Sequence, residues 1–373
     1  MDFGGLAVFA EAKDTYVCIP LLAKSAQPPR IEITRVQTLD PTLVETQMRQ
    51  TDCTVPHDRF SREAWSLASD AEVAVFARLS ALGKPLGSIV KGGMYRGILS
   101  GLKEAFSITT EQREAIVARA KASAELIHPC RGGEDVRDYF IRPRDEWIIV
   151  LPCGFTRAAL EASGTLSERK AWEWLSDKHP GIATHLVPFE RALRARQDQG
   201  EFWWEFRPCD YYHVLDGPKI VFPDICKRPR FCYDDTGIYV TNTAYFLGTG
   251  DKYLLALLNS RVFWFCIRHI SIPFGIRAGE YRYRMFYQYV ETVPIRICDH
   301  SKPDEKALHD QIIACADRML AAKQSEAAAT GHLKDNWTRQ IATLDRQINA
   351  LVYELYGLTE EEIALVEKTG AAE

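Results

Sequence analysis

From Arg207 to Arg296 the chain is a series of short apolar runs, each closed by turn-forming residues, and this pattern restricts its fold more than any other. Lys219-Ile220-Val221-Phe222-Pro223 and Arg230-Phe231-Cys232-Tyr233 have the length and the β-branched or aromatic content of strands. Asp234-Asp235-Thr236-Gly237 supplies turn chemistry before Ile238 to Phe246, which predicts a hairpin. Asp251 is placed to cap a helix from Lys252 to about His269. Short strands interleaved with helix predict a mixed α+β domain.

The last seventy residues change period. Leu308, Ile312, Cys315 and Met319, then Ile341, Leu344, Ile348, Leu351 and Leu355, follow alternating steps of three and four, a heptad seam on each of two helices. The Ala-rich segment with Gly331 between them permits a reversal, so an antiparallel, coiled-coil-like pair is expected. Gly357 should stop the second helix, and Thr359-Glu360-Glu361-Glu362 reads as a capping-box start for a third.

Upstream the signals are sparser. Residues 14 to 23, with Val8-Phe9-Ala10, read as buried strands, and residues 24 to 60, with Pro28-Pro29 and weak periodicity, as a connector. Lys91-Gly92-Gly93 through Gly101 is dense in glycine, which lets a backbone turn sharply or approach a ligand closely. Glu111 to Ile127 reads helical, Trp147 to Leu151 is a short buried strand, and residues 167 to 196 predict two helices divided at Pro180-Gly181.

With 373 residues, 46% of them hydrophobic, the chain can bury one full core and has the length for two, since a domain holds ~100–200 residues. A net charge of −4 excludes a uniformly basic nucleic-acid coat but not a local basic face. The ten cysteines include no Cys-x-x-Cys pair, so they read as thiols of a reducing cytoplasm rather than zinc ligands. The longest apolar runs are far short of the ~20 residues needed to span a bilayer, and a soluble cytoplasmic protein is expected.

The order of these blocks resembles the TaqI-like C-terminal specificity domain of type IIG restriction-modification and BREX-type adenine-specific DNA methyltransferases. The resemblance runs through Pro208-Cys209-Asp210-Tyr211-Tyr212, Lys219 to Ile225, Pro229-Arg230-Phe231, Asn242-Thr243-Ala244-Tyr245-Phe246, Tyr253 to Ser260 and Tyr289-Val290-Glu291-Thr292-Val293-Pro294-Ile295. Tyr95-Arg96-Gly97-Ile98 with Glu104 to Ile108, Ser123 to Ile127 with Arg131-Gly132, and the closing Leu351 to Glu361 extend it over nearly the whole chain. Lys103 stands where the family usually has asparagine, and Gly133-Glu134 interrupts a run that is usually more basic. The resemblance implies a remnant of the methyltransferase sheet with a linker over residues 1–54, a target recognition domain over 55–300 and a helical spacer over 301–373.

Methyl transfer in this family relies on an Asn-Pro-Pro-aromatic loop, which holds a flipped base, and a Gly-rich loop for S-adenosylmethionine. Neither occurs here: Asn242-Thr243-Ala244-Tyr245 lacks both prolines, and Gly248-Thr249-Gly250 reads as a turn leading into a helix. Pro223-Asp224 and Glu11-Ala12-Lys13 are too generic for a metal nuclease site, and the histidines have no metal spacing. No catalytic residue and no metal ligand is therefore assigned, and S-adenosylmethionine belongs to a catalytic half outside this chain.

Binding chemistry is better represented. Lys227, Arg228 and Arg230 stand at the mouth of a predicted strand, and Arg277, Tyr281, Arg282 and Arg284 fall in a Gly-containing loop followed by a strand. Lys91, Arg96 and Arg131 form a second set beside glycines. Arginine contacts phosphate as a fork or pairs with guanine edges, and tyrosine reaches phosphate through its hydroxyl. A solvated basic surface is the alternative for each set.

The expected function is sequence-specific binding of double-stranded DNA within a restriction-modification or phage-exclusion methylase. The competing readings are the specificity portion of an active adenine methyltransferase whose catalytic half or nuclease lies on another chain, and an assembly protein that self-associates through its helical pair.

Overall fold

The heptad seams fold as two long helices, Pro303–Ala328 and Gly331–Tyr356, in the computed structural model of the chain. A two-residue link and the Thr338 Oγ1 donation to Glu326, 2.7 Å, set them antiparallel. Ile312, Cys315 and Met319 of the first helix and Leu344, Ile348 and Leu355 of the second are buried, as the spacing requires. Gly357 ends the second helix at φ +60°, a left-handed cap that any Cβ would strain. Thr359 and Glu362 then bond reciprocally, 2.9 and 3.3 Å, and open the helix Glu360–Gly370.

Described are residues 28–370 except 37, 52, 61–66, 162–163 and 278–279, together with Met1, Val8, 17–21 and Lys24. Most of the expected N-terminal strands, at 8–10 and 14–23, lies outside the described residues, as does Glu11-Ala12-Lys13. The chain divides into two compact units, one of residues 1–89, 225–229 and 256–373, the other of 90–224 and 230–255.

In the first unit, part of the presumed connector is ordered secondary structure. Arg30–Ile33 and Cys53–Pro56 pair antiparallel, with the helix Pro41–Met48 between them in sequence. The helix Asp70–Leu82 begins at a Ser69–Glu72 capping box, and Arg78 on it bonds Glu362 and the Gly357 carbonyl. The expected 252–269 helix is two helices, Lys252–Leu258 and Arg261–Ile270. Ser260 interrupts them because its side chain accepts the Phe263 N–H, 3.2 Å, while Asn349 Oδ1 accepts the Arg261 N–H, 2.8 Å. Val262 to Ile267 are all buried, so this helix is the hydrophobic centre of the unit. The run read as a loop before a strand is a hairpin, Pro273–Arg277 with Glu280–Arg284, which Ile225–Cys226 extends into a three-stranded sheet.

The second unit holds two four-stranded sheets. One is antiparallel, in the order Cys232–Asp234, Lys219–Pro223, Ala244–Leu247, Met94–Arg96. The other runs Tyr239–Val240, Ile127–Arg131, Trp147–Ile149, Ser107–Ile108. The hairpin expected around Gly237 does not form. Asp234 accepts the Thr236 and Ile238 N–H groups, 3.2 and 3.0 Å, and this turn sends Tyr239–Val240 to the other sheet, parallel to Cys130 and Arg131.

The predicted 111–127 helix ends at Arg119, because Ala120 is extended and Ile127 already belongs to a strand. Glu168–Lys178 and Pro180–Leu186 form the expected helix pair, with proline at the first position of the second. Trp204, Phe106 and Phe206 are fully buried in a core that takes residues from both sheets. Two buried charges find partners within it, although the Arg196 Nε has none. The Glu205 carboxylate accepts N–H groups of Gly154, Thr156 and Glu201, and Arg196 donates to the carbonyls of Ser100, Trp203 and Glu205.

Candidate nucleic-acid interface

On the strand Glu280-Tyr281-Arg282-Tyr283-Arg284 the pleat separates two chemistries. Tyr283 is 6% exposed and meets Trp264 edge-on at 5.4 Å, which fixes the tyrosine side inward. Arg282 and Arg284 therefore stand together on the opposite face. Their guanidinium carbons lie 5.0 and 4.7 Å from the centre of the Phe274 ring, and Arg284 also lies 5.5 Å from Phe286. Both Nε atoms are shielded from solvent without a hydrogen-bond partner, and no ion pair reaches either guanidinium among the described residues. The terminal nitrogens, which no hydrogen bond or ion pair engages among the described residues, are the donors left for an external anion or acceptor.

Lys227 and Glu280 meet at 2.6 Å on the same sheet, which neutralises the acidic residue of the arginine strand. Arg228, next in sequence, is exposed. Arg277 pairs through its backbone with Glu280, and its side chain lies outside the described residues. Tyr281 departs from the expected set, since alternation along the strand puts it on the Tyr283 side.

The remaining sequence candidates belong to the second unit. Arg96 is exposed, donates from Nε to the Asn242 carbonyl at 2.9 Å and lies 6.0 Å from the Tyr245 ring. Lys91 is exposed in a turn. The adjacent glycine serves packing rather than a ligand: a Cβ on Gly92 would lie 1.8 Å from the Gly248 carbonyl oxygen. Arg131 is a structural residue, contrary to the sequence expectation. It is 8% exposed and donates to the carbonyls of Cys130, Arg142 and Glu146, so its guanidinium is committed inside the unit. Arg230 is half-buried, and its Nε has no partner.

Three cations here were not singled out from sequence: Arg137, Arg142 and Arg144. Their signal was the charge density of Arg137 to Glu146, which periodicity does not register. Arg144 pairs with the fully buried Asp135. A cleft of about 400 Å³ lined by Lys103, Arg144, Asp145 and Glu146 carries little free charge, because Lys103 bonds Glu146 at 2.8 Å and Asp145 accepts from Thr110.

The segments compared with methyltransferase motifs have ordinary structural roles. Tyr245 lies in a strand, 9% exposed and stacked on Phe222 at 5.7 Å, so its ring is not presented to a flipped base. The Gly248 N–H donates to the Gly93 carbonyl at 3.0 Å, and the Asp251 side chain accepts the Leu254 N–H at 3.1 Å. That turn is filled by backbone and leads into a helix, so these residues do not fit a methyl-donor cradle. Among the described residues no cluster of His, Cys, Asp or Glu is arranged to hold a metal ion, and no helix is long and apolar enough to cross a membrane.

A comparison with solved structures finds a likeness to the type IIL restriction-modification enzyme MmeI in complex with DNA. The TM-score is 0.49 and the identity 14%, over 74% of this chain and 35% of that one, so the chain spans about a third of the enzyme's length. The family comparison is more specific. Residues 128–295, which contain the arginine strand, match the TaqI-like C-terminal specificity domain family.

Proposed function

We propose that the chain binds double-stranded DNA at a defined sequence, as the target recognition part of a restriction-modification or phage-exclusion adenine methyltransferase. The observation that carries this reading is the Arg282–Arg284 pair, two guanidinium groups on one strand face with unused donors, stacked on one ring and inside the family-matched segment. Phosphate contacts would supply most of the affinity, and a forked arginine at a guanine edge would supply discrimination. Lys227 and Arg228 flank the pair, while Lys91, Arg96 and Arg230 are contacts on the second unit. Arg277 stays in the set by its place in sequence.

The methyl-transfer step, with S-adenosylmethionine, is assigned to a partner domain or subunit, and the recognition domain to residues 55–300. Selection of bound duplexes from a random pool tests the reading. An enriched motif supports it, and failure to retain any duplex at low salt overturns it.

A further inference from the structure

A short hairpin that periodicity did not reveal carries Arg137, runs into Arg142 and is tied at its tip to the residue after Arg230. Val136–Arg137 pairs antiparallel with Phe140–Ile141, and the tip residue Tyr139 is held at φ +58°, a left-handed conformation rare for a bulky side chain. The Tyr139 N–H donates to the Phe231 carbonyl at 2.9 Å, which ties the hairpin tip to the residue following Arg230. At the other end the Arg142 N–H donates to the Asp135 carbonyl, 2.9 Å.

The charges are poorly compensated. Arg137 spends one terminal nitrogen on the neutral carbonyls of Glu134 and Val136, 2.7 and 2.8 Å. Its pKa is lowered, first by desolvation and then by the like charges of Arg230 and Arg142, against the opposing fields of Asp135 and Asp138. Asp135 is already engaged by Arg144. Arg142 is exposed, and no hydrogen bond or ion pair holds its side chain among the described residues. The Arg230 Nε is shielded and unpartnered. Crowded like charges on a rigid scaffold are relieved by a multiply charged anion, and much less by the neutral edge of a base.

We infer that Arg137, Arg142 and Arg230 form a phosphate-binding site, distinct from the Arg282–Arg284 face, which grips the nucleic-acid backbone without reading sequence. The backbone assignment rests on the DNA-binding reading; the anion site itself does not. Arg142→Gln is the fold-safe variant because the side chain is exposed, and Arg142→Gln/Arg230→Gln removes the two charges that crowd Arg137.

Two measurements separate the claims. Inorganic pyrophosphate should raise the thermal midpoint of the wild-type chain and raise that of the double variant less. Binding to duplexes of unrelated sequence should weaken by one common factor in the double variant, with the log–log salt slope shallower by about 1.8, near 0.9 for each phosphate that is no longer neutralised. Arg142→Lys should retain the slope, and Arg169→Gln, which removes a surface partner of Glu173, should change neither.

Equal stabilisation of wild type and double variant by pyrophosphate, or an unchanged salt slope, overturns the site. A changed sequence preference in the double variant overturns its backbone role. Pyrophosphate behaviour as expected with no duplex binding sinks the DNA reading and leaves the anion site standing.

Discussion

Lys227 holds Glu280 at 2.6 Å, and this contact removes an opposing charge from the strand that carries Arg282 and Arg284. A free carboxylate there would repel phosphate, and a paired one does not. Lys227→Met should therefore weaken duplex binding about two- to fivefold, the range of a partly exposed ion pair. Adding Glu280→Gln should restore part of the affinity. Fluorescence anisotropy on a labelled duplex reads both. No recovery in the double variant would mean that Lys227 acts only by its own contact with DNA.

The buried pair Lys219–Asp234, 2.6 Å apart with the residues 0% and 4% exposed, ties the start of one strand to the turn that redirects Tyr239. Lys219→Met leaves the carboxylate without its counter-charge and should destabilise the second unit by about 3–5 kcal/mol. Lys219→Met/Asp234→Asn should cost less, because no unpaired buried charge remains, even though the single asparagine oxygen can accept from only one of the Thr236 and Ile238 N–H groups. Urea unfolding measures both. A single variant within about 0.5 kcal/mol of wild type would show that the pair is not needed.

Four histidines, His179 buried and the other three half-buried, set a pH dependence. His128, His179, His185 and His269 all have pKa values below the ordinary 6.5, with desolvation the largest cause in each. Between the folded and unfolded values the unfolded chain binds protons that the folded chain refuses, so stability is present above about pH 6.5 and is lost as the pH falls below it. The urea midpoint should drop from pH 7.5 to 5.5. His269→Gln should flatten that drop in the first unit, where His269 stacks on Phe76 at 5.5 Å. A midpoint that rises over this interval would contradict the assignment.

What was legible in sequence was local. The seams at Ile312 and Ile348, the stop at Gly357, the box at Thr359 and the cap at Asp251 each depend on residues within one or two turns, and each formed. Contacts distant in sequence were hidden. Tyr239 joins Cys130 across more than a hundred residues, and the Asn349 side chain fixes the start of a helix at Arg261.

The site divides the same way. Arg282 and Arg284 share one face only because the segment is a strand, which reading the sequence as a loop does not reveal. Tyr281, which a loop reading groups with them, lies on the other face of the same strand. Arg131 looked available beside Gly132 and Gly133, yet three carbonyls surround it. Arg137 and Arg142 gained meaning only when the strand after Arg230 reached the hairpin tip.

In the proposed function, Arg282 and Arg284 together make the face that meets DNA. The most direct test of that role is the salt dependence of duplex binding by wild type and by Arg282→Gln/Arg284→Gln, with folding checked by circular dichroism. A folded variant is expected whose log–log salt slope is shallower by about 0.9, for the guanidinium at phosphate, and whose selected sequence preference is relaxed, for the one at a base edge. A folded variant with the wild-type affinity, slope and preference would contradict that role.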